Sequence, residues 1–151
     1  MGGVVMIVGF FGHASFSESS IDMQTVLNVL EKEIQGQDVD FYLGNYGNFD
    51  NFAYSVAKEY QKAHLNSKLV FITPYLNNVR CNDFAKKCDC SIYPEIEKVP
   101  LKFAIIKRNK WVVQNSDLLI FYYKTIGKTR DIYEYAISKN KRVINLAEQF
   151  S

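Results

Sequence analysis

Three times along this chain an apolar run ends at a turn that carries glycine, and a segment of helical periodicity follows. The best-defined case is Phe41-Tyr42-Leu43-Gly44-Asn45-Tyr46-Gly47-Asn48-Phe49-Asp50. Beyond it Ala53, Val56, Ala57 and Tyr60 fall on one helical face. Residues 4–9 lead in the same way into Phe10-Phe11-Gly12-His13-Ala14, and after a serine-rich turn into a helix with Met23, Val26, Leu27, Leu30 and Ile34 on one stripe. Residues 117–123 lead into Lys124-Thr125-Ile126-Gly127-Lys128-Thr129 and a helix with Ile132, Tyr133, Ala136 and Ile137. Runs at 69–73 and 142–146 add two strands, and Ser91-Ile92-Tyr93 reads as a short further one. Continuous apolar runs mark strands buried on both faces, and their alternation with helices builds a parallel sheet covered on each side.

The expected architecture is therefore α/β: a Rossmann-like three-layer sandwich with a mostly parallel sheet of five or six strands. A length of 151 residues fits one domain over 1–151. Residues 75–98 read as a long loop with one helical turn at most beside the short strand. Such sheets take ligands beyond the carboxyl ends of their strands, near the point where strand order reverses. The segments expected there are Gly12-His13, the Gly44 to Asp50 turn, and the turn carrying Gly127, Lys128 and Thr129.

The Gly44–Asp50 turn has two readings. Glycines admit a ligand close to the main chain, and the unpartnered N–H groups of a first helical turn suit a phosphate. Alternatively this is a plain strand-to-helix turn with Asp50 as its N-cap. Thr129 reads as an N-cap, and Lys128 stands where a phosphate would meet it. A Walker P-loop is excluded because Tyr122 occupies the position of its first glycine, and no GxGxxG fingerprint is present.

Pro100 fits the first turn of the next helix, whose face carries Leu101, Ala104, Ile105, Trp111 and Val112. Arg108 falls in the middle of that face. A buried charge needs a partner, so Arg108 pairs with a carboxylate of the protein, Asp50 for instance, snorkels its head group to water, or reaches an anionic ligand with its planar fork.

A net charge of +2 gives no general argument for nucleic acid, which the sequence reading sets aside as a partner, or for an anionic membrane. No run reaches membrane length and no leader is recognisable, so a cytoplasmic protein is expected. Cys81, Cys88 and Cys90 form neither a disulfide framework nor a zinc spacing, so no metal and no cofactor is expected. Aromatic residues are abundant at 15%. They serve a base-stacking site, a subunit interface in a homo-oligomer, or an aromatic core.

Four segments in order resemble the SLOG superfamily, the Rossmann-like group containing DprA and the Lonely Guy proteins, and within it the YpsA-like branch. They are Phe11-Gly12-His13-Ala14; Gly44-x-x-Gly47-x-Phe49-Asp50; Arg108-Asn109-Lys110-Trp111-Val112-Val113 with Asp117-Leu118-Leu119-Ile120; and Gly127-Lys128-Thr129 with Ala136. The resemblance implies a nucleotide or nucleotide-derived small molecule in the crevice, and it adds Arg108 and Asn109 to the ligand-binding set. It departs from the family at Ala14, in place of an arginine, and at Lys128, in place of a glycine. Ile132 stands where the Lonely Guy hydrolases have a catalytic glutamate, and Glu134 lies roughly 200° round the helix from it. A nucleotide-binding protein or ligand sensor is the first reading. An N-glycosidic enzyme acting on a nucleoside monophosphate, with Asp50, Glu134 and His13 as candidate catalytic groups, is the second. An interaction module with a vestigial crevice is the third.

Overall fold

The computed structural model describes residues 4–75, 79–94 and 99–149. In chain order it holds β1 (Met6–Gly12), a single 3-10 turn at Glu18–Ser20, α1 (Met23–Ile34), β2 (Val39–Leu43) and α2 (Asn48–Ala63). Then follow β3 (Ser67–Ile72), α3 (Val79–Ala85), β4 (Cys90–Ile92), α4 (Leu101–Asn115), β5 (Leu118–Tyr122), α5 (Lys128–Ser138), β6 (Arg142–Asn145) and α6 (Leu146–Gln149). The strands form one sheet in the order β4-β3-β2-β1-β5-β6, and every pairing is parallel. The expected sheet is present with six strands.

Alternation along each strand splits the core in two. Val8, Phe10, Phe41, Leu43, Leu118 and Ile120 face one way and pack with Val26 and Leu30 of α1, with Phe52 and Val56 of α2, and with Leu146 of α6. Phe11, Tyr42, Val70, Leu119 and Phe121 face the other way, onto Val112 and Val113 of α4 and Ile132 and Ala136 of α5. Two covered faces explain why the strands read as continuous apolar runs rather than alternating ones. The aromatic excess is largely core: Phe16 lies 4.9 Å from Tyr122 and 5.2 Å from Phe49, ring centre to ring centre, beneath the turn that follows β1.

Three local expectations are corrected. The loop expected over 75–98 contains a seven-residue helix, α3, which buries Cys81 and Phe84 against the core. Its apolar stripe is too short to show a period. Asp50 is not the N-cap of α2, because Gly47 holds that position and Asp50 lies three residues in. Thr129 is likewise inside its helix, with Gly127 as the N-cap residue of α5.

The strand order reverses between β1 and β5: α1 and α2 lie on one face of the sheet, and α4 and α5 on the other. The turns after β1, β2 and β5 meet at the carboxyl edge beside this switch.

Candidate functional site

Seven of the sequence-derived residues converge. Gly12, Gly47, Asp50, Arg108, Asn109, Lys128 and Thr129 line a crevice of about 300 Å³, together with Phe11, Ala14, Tyr46, Ile105 and Ile132. His13, Gly44 and Gly127 stand behind or beside its walls rather than on them. Glu134 lies outside it, on a neighbouring groove between α4 and α5.

Arg108 is 2% exposed and organises the carboxyl edge. Its Nε donates to the Ile72 carbonyl at 2.8 Å and one terminal nitrogen donates to the Leu43 carbonyl at 2.9 Å. The other terminal nitrogen donates to Oδ1 of Asn109 at 2.9 Å. Leu43 and Ile72 are the last residues of β2 and β3, so the guanidinium closes two neighbouring strands where their ladder stops. The carboxylate expected from the sequence is not what it meets. It bonds main-chain carbonyls instead of a carboxylate, and no ion pair joins it to Asp50. Three of its five N–H groups are committed to the protein, so two remain for a ligand. Burial pulls its pKa down, opposed by its electrostatic interactions with Tyr46 and Asp50. Tyr46 lays its ring 5.6 Å from the guanidinium carbon, and a Cβ at Gly44 would lie 3.0 Å from a terminal nitrogen.

Three N–H groups of the Gly44–Asp50 turn are taken up within the protein. The Asp50 carboxylate accepts from the Tyr46 N–H at 2.7 Å and also from Gly47, and Asn48 N–H donates to the Ala14 carbonyl at 3.0 Å. Desolvation raises the Asp50 pKa, while these N–H bonds and Arg108 oppose the rise. The protein's own carboxylate thus takes two of the N–H groups that the sequence offered to a phosphate. The glycines there serve packing. A Cβ on Gly12 would sit 2.1 Å from Phe49 Cγ, and one on Gly47 would sit 2.5 Å from Ala14 Cα.

The turn after β5 is built differently. No side chain caps α5, and the N–H groups of Lys128, Thr129 and Arg130 have no protein acceptor among the described residues. Gly127, at φ 154°, adopts backbone that favours glycine, and a Cβ there would meet nothing within 4 Å. Lys128 and Thr129 open directly onto the crevice. His13 fixes this turn, since its Nε2 accepts from the Lys124 N–H at 2.9 Å. An accepting Nε2 requires a neutral ring protonated on Nδ1, and burial lowers the His13 pKa accordingly.

Tyr46 is a wall residue that the sequence reading missed. Its hydroxyl is buried without a hydrogen-bond partner among the described residues, and burial raises its pKa. Its position between two glycines of the turn was the available signal. Among the described residues, no group of three or more His, Cys, Asp or Glu is placed to hold a metal ion. No described helix is long and apolar enough to cross a membrane.

No family model matches the chain, and no curated protein matches its sequence. Solved structures do. DNA processing protein A from Helicobacter pylori superposes with a TM-score of 0.62 over 91% of this chain, at 15% identity. DprA from Streptococcus pneumoniae superposes with a TM-score of 0.64, also over 91%, at 18% identity. The fold is DprA-like. The chain spans 63% and 49% of those two solved chains. The likeness supports the superfamily resemblance at the level of fold, and it does not single out the YpsA-like branch.

One expectation falls here. The H. pylori protein is described by its single-stranded DNA binding mode, so nucleic acid cannot be set aside for a chain of this fold. The exclusion rested on net charge, which averages over all faces. Helix α4 carries Lys102, Lys107, Arg108 and Lys110 and no acidic residue, a local excess that a total of +2 conceals.

Proposed function

We propose that this protein is a non-catalytic binding module that takes the phosphate of a nucleotide-type chain, single-stranded nucleic acid, at the α5 end of its crevice. The observation that carries the proposal is the uncapped first turn of α5 beside Lys128 and Thr129, opening into the crevice. Unpartnered N–H groups, the positive end of the helix dipole and an ammonium together favour a phosphate. Lys102 and Lys110 of α4 and Lys124 lie outside the crevice and are exposed, so a strand leaving it would meet further positive charge. The DprA-like fold supports the same class of partner.

The three candidate catalytic groups are otherwise engaged, which supports binding over catalysis. Asp50 holds its own turn, His13 holds the β5–α5 turn, and Glu134 pairs with Arg130 at 3.0 Å. Ile132, at the position where the resemblance implies a glutamate, is nearly buried against the core. Residues 1–151 are taken as one such unit, in the cytoplasm, where thiols stay reduced. A free nucleotide is the second reading, favoured by the crevice volume of about 300 Å³, which falls within the range of small-molecule sites. Its YpsA-like assignment rests on the sequence resemblance.

Fluorescence anisotropy with a labelled oligothymidylate tests the proposal. Saturable binding that weakens with salt, and that AMP displaces only at much higher concentration, is expected. No binding to the strand alongside tight binding of AMP would favour the second reading, and binding of neither would reject both.

A further inference from the structure

The turn between β5 and α5 is held at few points. Tyr123, at its start, is fixed by Asn145, which accepts from its N–H and donates to its carbonyl, each at 3.0 Å. Beyond Tyr123 the turn loses its packing. Ile126 is 83% exposed, and a Cβ at Gly127 would meet nothing within 4 Å. Among the described residues, the main-chain N–H groups from Lys124 to Arg130 find one acceptor, the imidazole of His13. Its Nε2 takes the Lys124 N–H at 2.9 Å, and the Thr125 N–H points to the same atom from 3.5 Å. Two donors converging on one ring nitrogen require that nitrogen to carry no proton.

A proton taken from water at Nε2 reverses this arrangement. The acceptor becomes a donor set against two main-chain donors, which loses the hydrogen bond and leaves nothing in its place. We propose that His13 is a proton-operated latch on the phosphate site: unprotonated at Nε2, it holds the turn that presents the N–H groups of Lys128, Thr129 and Arg130, and protonated, it releases the turn and with it the strand. The latch rests on the phosphate site proposed above. Tyr123 has its ring centre 6.3 Å from the imidazole, and Lys124 belongs to the turn itself. The crevice wall, which the neighbouring Gly12 and Ala14 help to line, carries Asp50 of α2, Arg108 of α4 and Lys128 of α5. Among the described residues, none of these side chains hydrogen-bonds the imidazole. Burial lowers the His13 pKa from its usual value of about 6.5, so the neutral ring is the resting form at pH 7. The sign of the effect is diagnostic. A histidine touching the phosphate would bind it better when charged, so acid would tighten binding. The latch requires acid to weaken it.

Anisotropy of a labelled oligothymidylate from pH 7.5 to 5 tests this on the whole chain, since the phosphodiesters and thymines of the probe keep one charge state over that range. Affinity should fall with acid, approaching about tenfold per pH unit below the folded pKa of His13, because apparent affinity follows the neutral fraction. His13→Gln, whose side chain does not titrate, should not show that fall. His64→Gln, which changes the chain's other histidine, should keep the wild-type profile. Binding and protonation are linked reciprocally, so an NMR titration of the His13 imidazole in the wild-type chain should show its pKa lowered further by saturating strand. Wild-type affinity that stays level or rises toward pH 5 would overturn the latch. So would a His13 pKa that rises on binding, or a fall in affinity that a folded His13→Gln protein retains. Absence of binding at pH 7.5 would remove the phosphate site and the latch together, whereas binding that ignores pH removes the latch alone.

Discussion

Arg108 shows how one residue can satisfy a sequence argument and redirect it. Its place on the apolar face of α4 and its need for partners were both legible in the sequence, but the partners were not. Main-chain carbonyls at strand ends leave no trace in side-chain identity, so the choices were a carboxylate, a snorkelling side chain or a ligand. With two carbonyls and Asn109 accepting from it, Arg108→Lys keeps the charge and cannot span both strands. Loss of these bonds should cost about 3 kcal/mol, since each hydrogen bond to a charged group is worth ~1.5–3. For a chain of this size that is a fall of roughly 6–12 °C in melting temperature. An Arg108→Lys protein that melts with the wild type would show that the bridge across β2 and β3 does not stabilise the fold.

His13 makes the second prediction at this scale. Burial holds its folded pKa below the usual value of about 6.5. In the window between the folded and unfolded values the unfolded chain binds more protons, so stability falls as pH drops below about 6.5 toward the folded value. The proton would go to Nε2, which accepts from Lys124 N–H, so the turn before α5 should loosen in the same window. Melts from pH 7.5 to 5 should show this slope in the wild type and a shallower one in His13→Gln. Equal slopes would remove His13 from the effect.

At the scale of elements, the strand, turn and helix grammar carried the fold. Strand β2 spans the residues expected, and α1 and α2 bury most of the expected stripe. Periodicity failed where elements are short or where a helix end is set by something other than its first polar side chain. That is why α3 was hidden and why the N-caps at Gly47 and Gly127 were displaced to Asp50 and Thr129. The glycines were found, but a sequence does not say whether a missing Cβ makes room for ligand or for protein. Phe49 against Gly12 and Ala14 against Gly47 give the second answer for the β1 and β2 turns. Gly47→Ala therefore acts by collision, not by backbone strain, since Gly47 has an extended φ of −172°. It should cost about 1–3 kcal/mol by pushing the β1 turn away from α2. A chemical denaturation midpoint indistinguishable from that of wild type would contradict the packing read from the Cα of Ala14.

At the scale of the whole molecule, total charge was the misleading quantity and its distribution the informative one. Lys128 stands at the uncapped end of α5, and Lys102, Lys107 and Lys110 of α4 have no acidic neighbour on their own helix. Among the described residues, Asp50 supplies the only acidic side chain on the crevice wall, and Arg108 partly offsets it. The measurement that bears most directly on the crevice as a strand-phosphate site is the salt dependence of oligothymidylate binding by wild type and Lys128→Gln. If Lys128 neutralises one phosphate, its removal should reduce the slope of log K against log salt by about 0.7. Affinity at low salt should fall about tenfold, with the melting temperature unchanged because Lys128 is exposed. A Lys128→Gln protein that binds the strand with wild-type affinity and slope would place the phosphate elsewhere and contradict the crevice as its site.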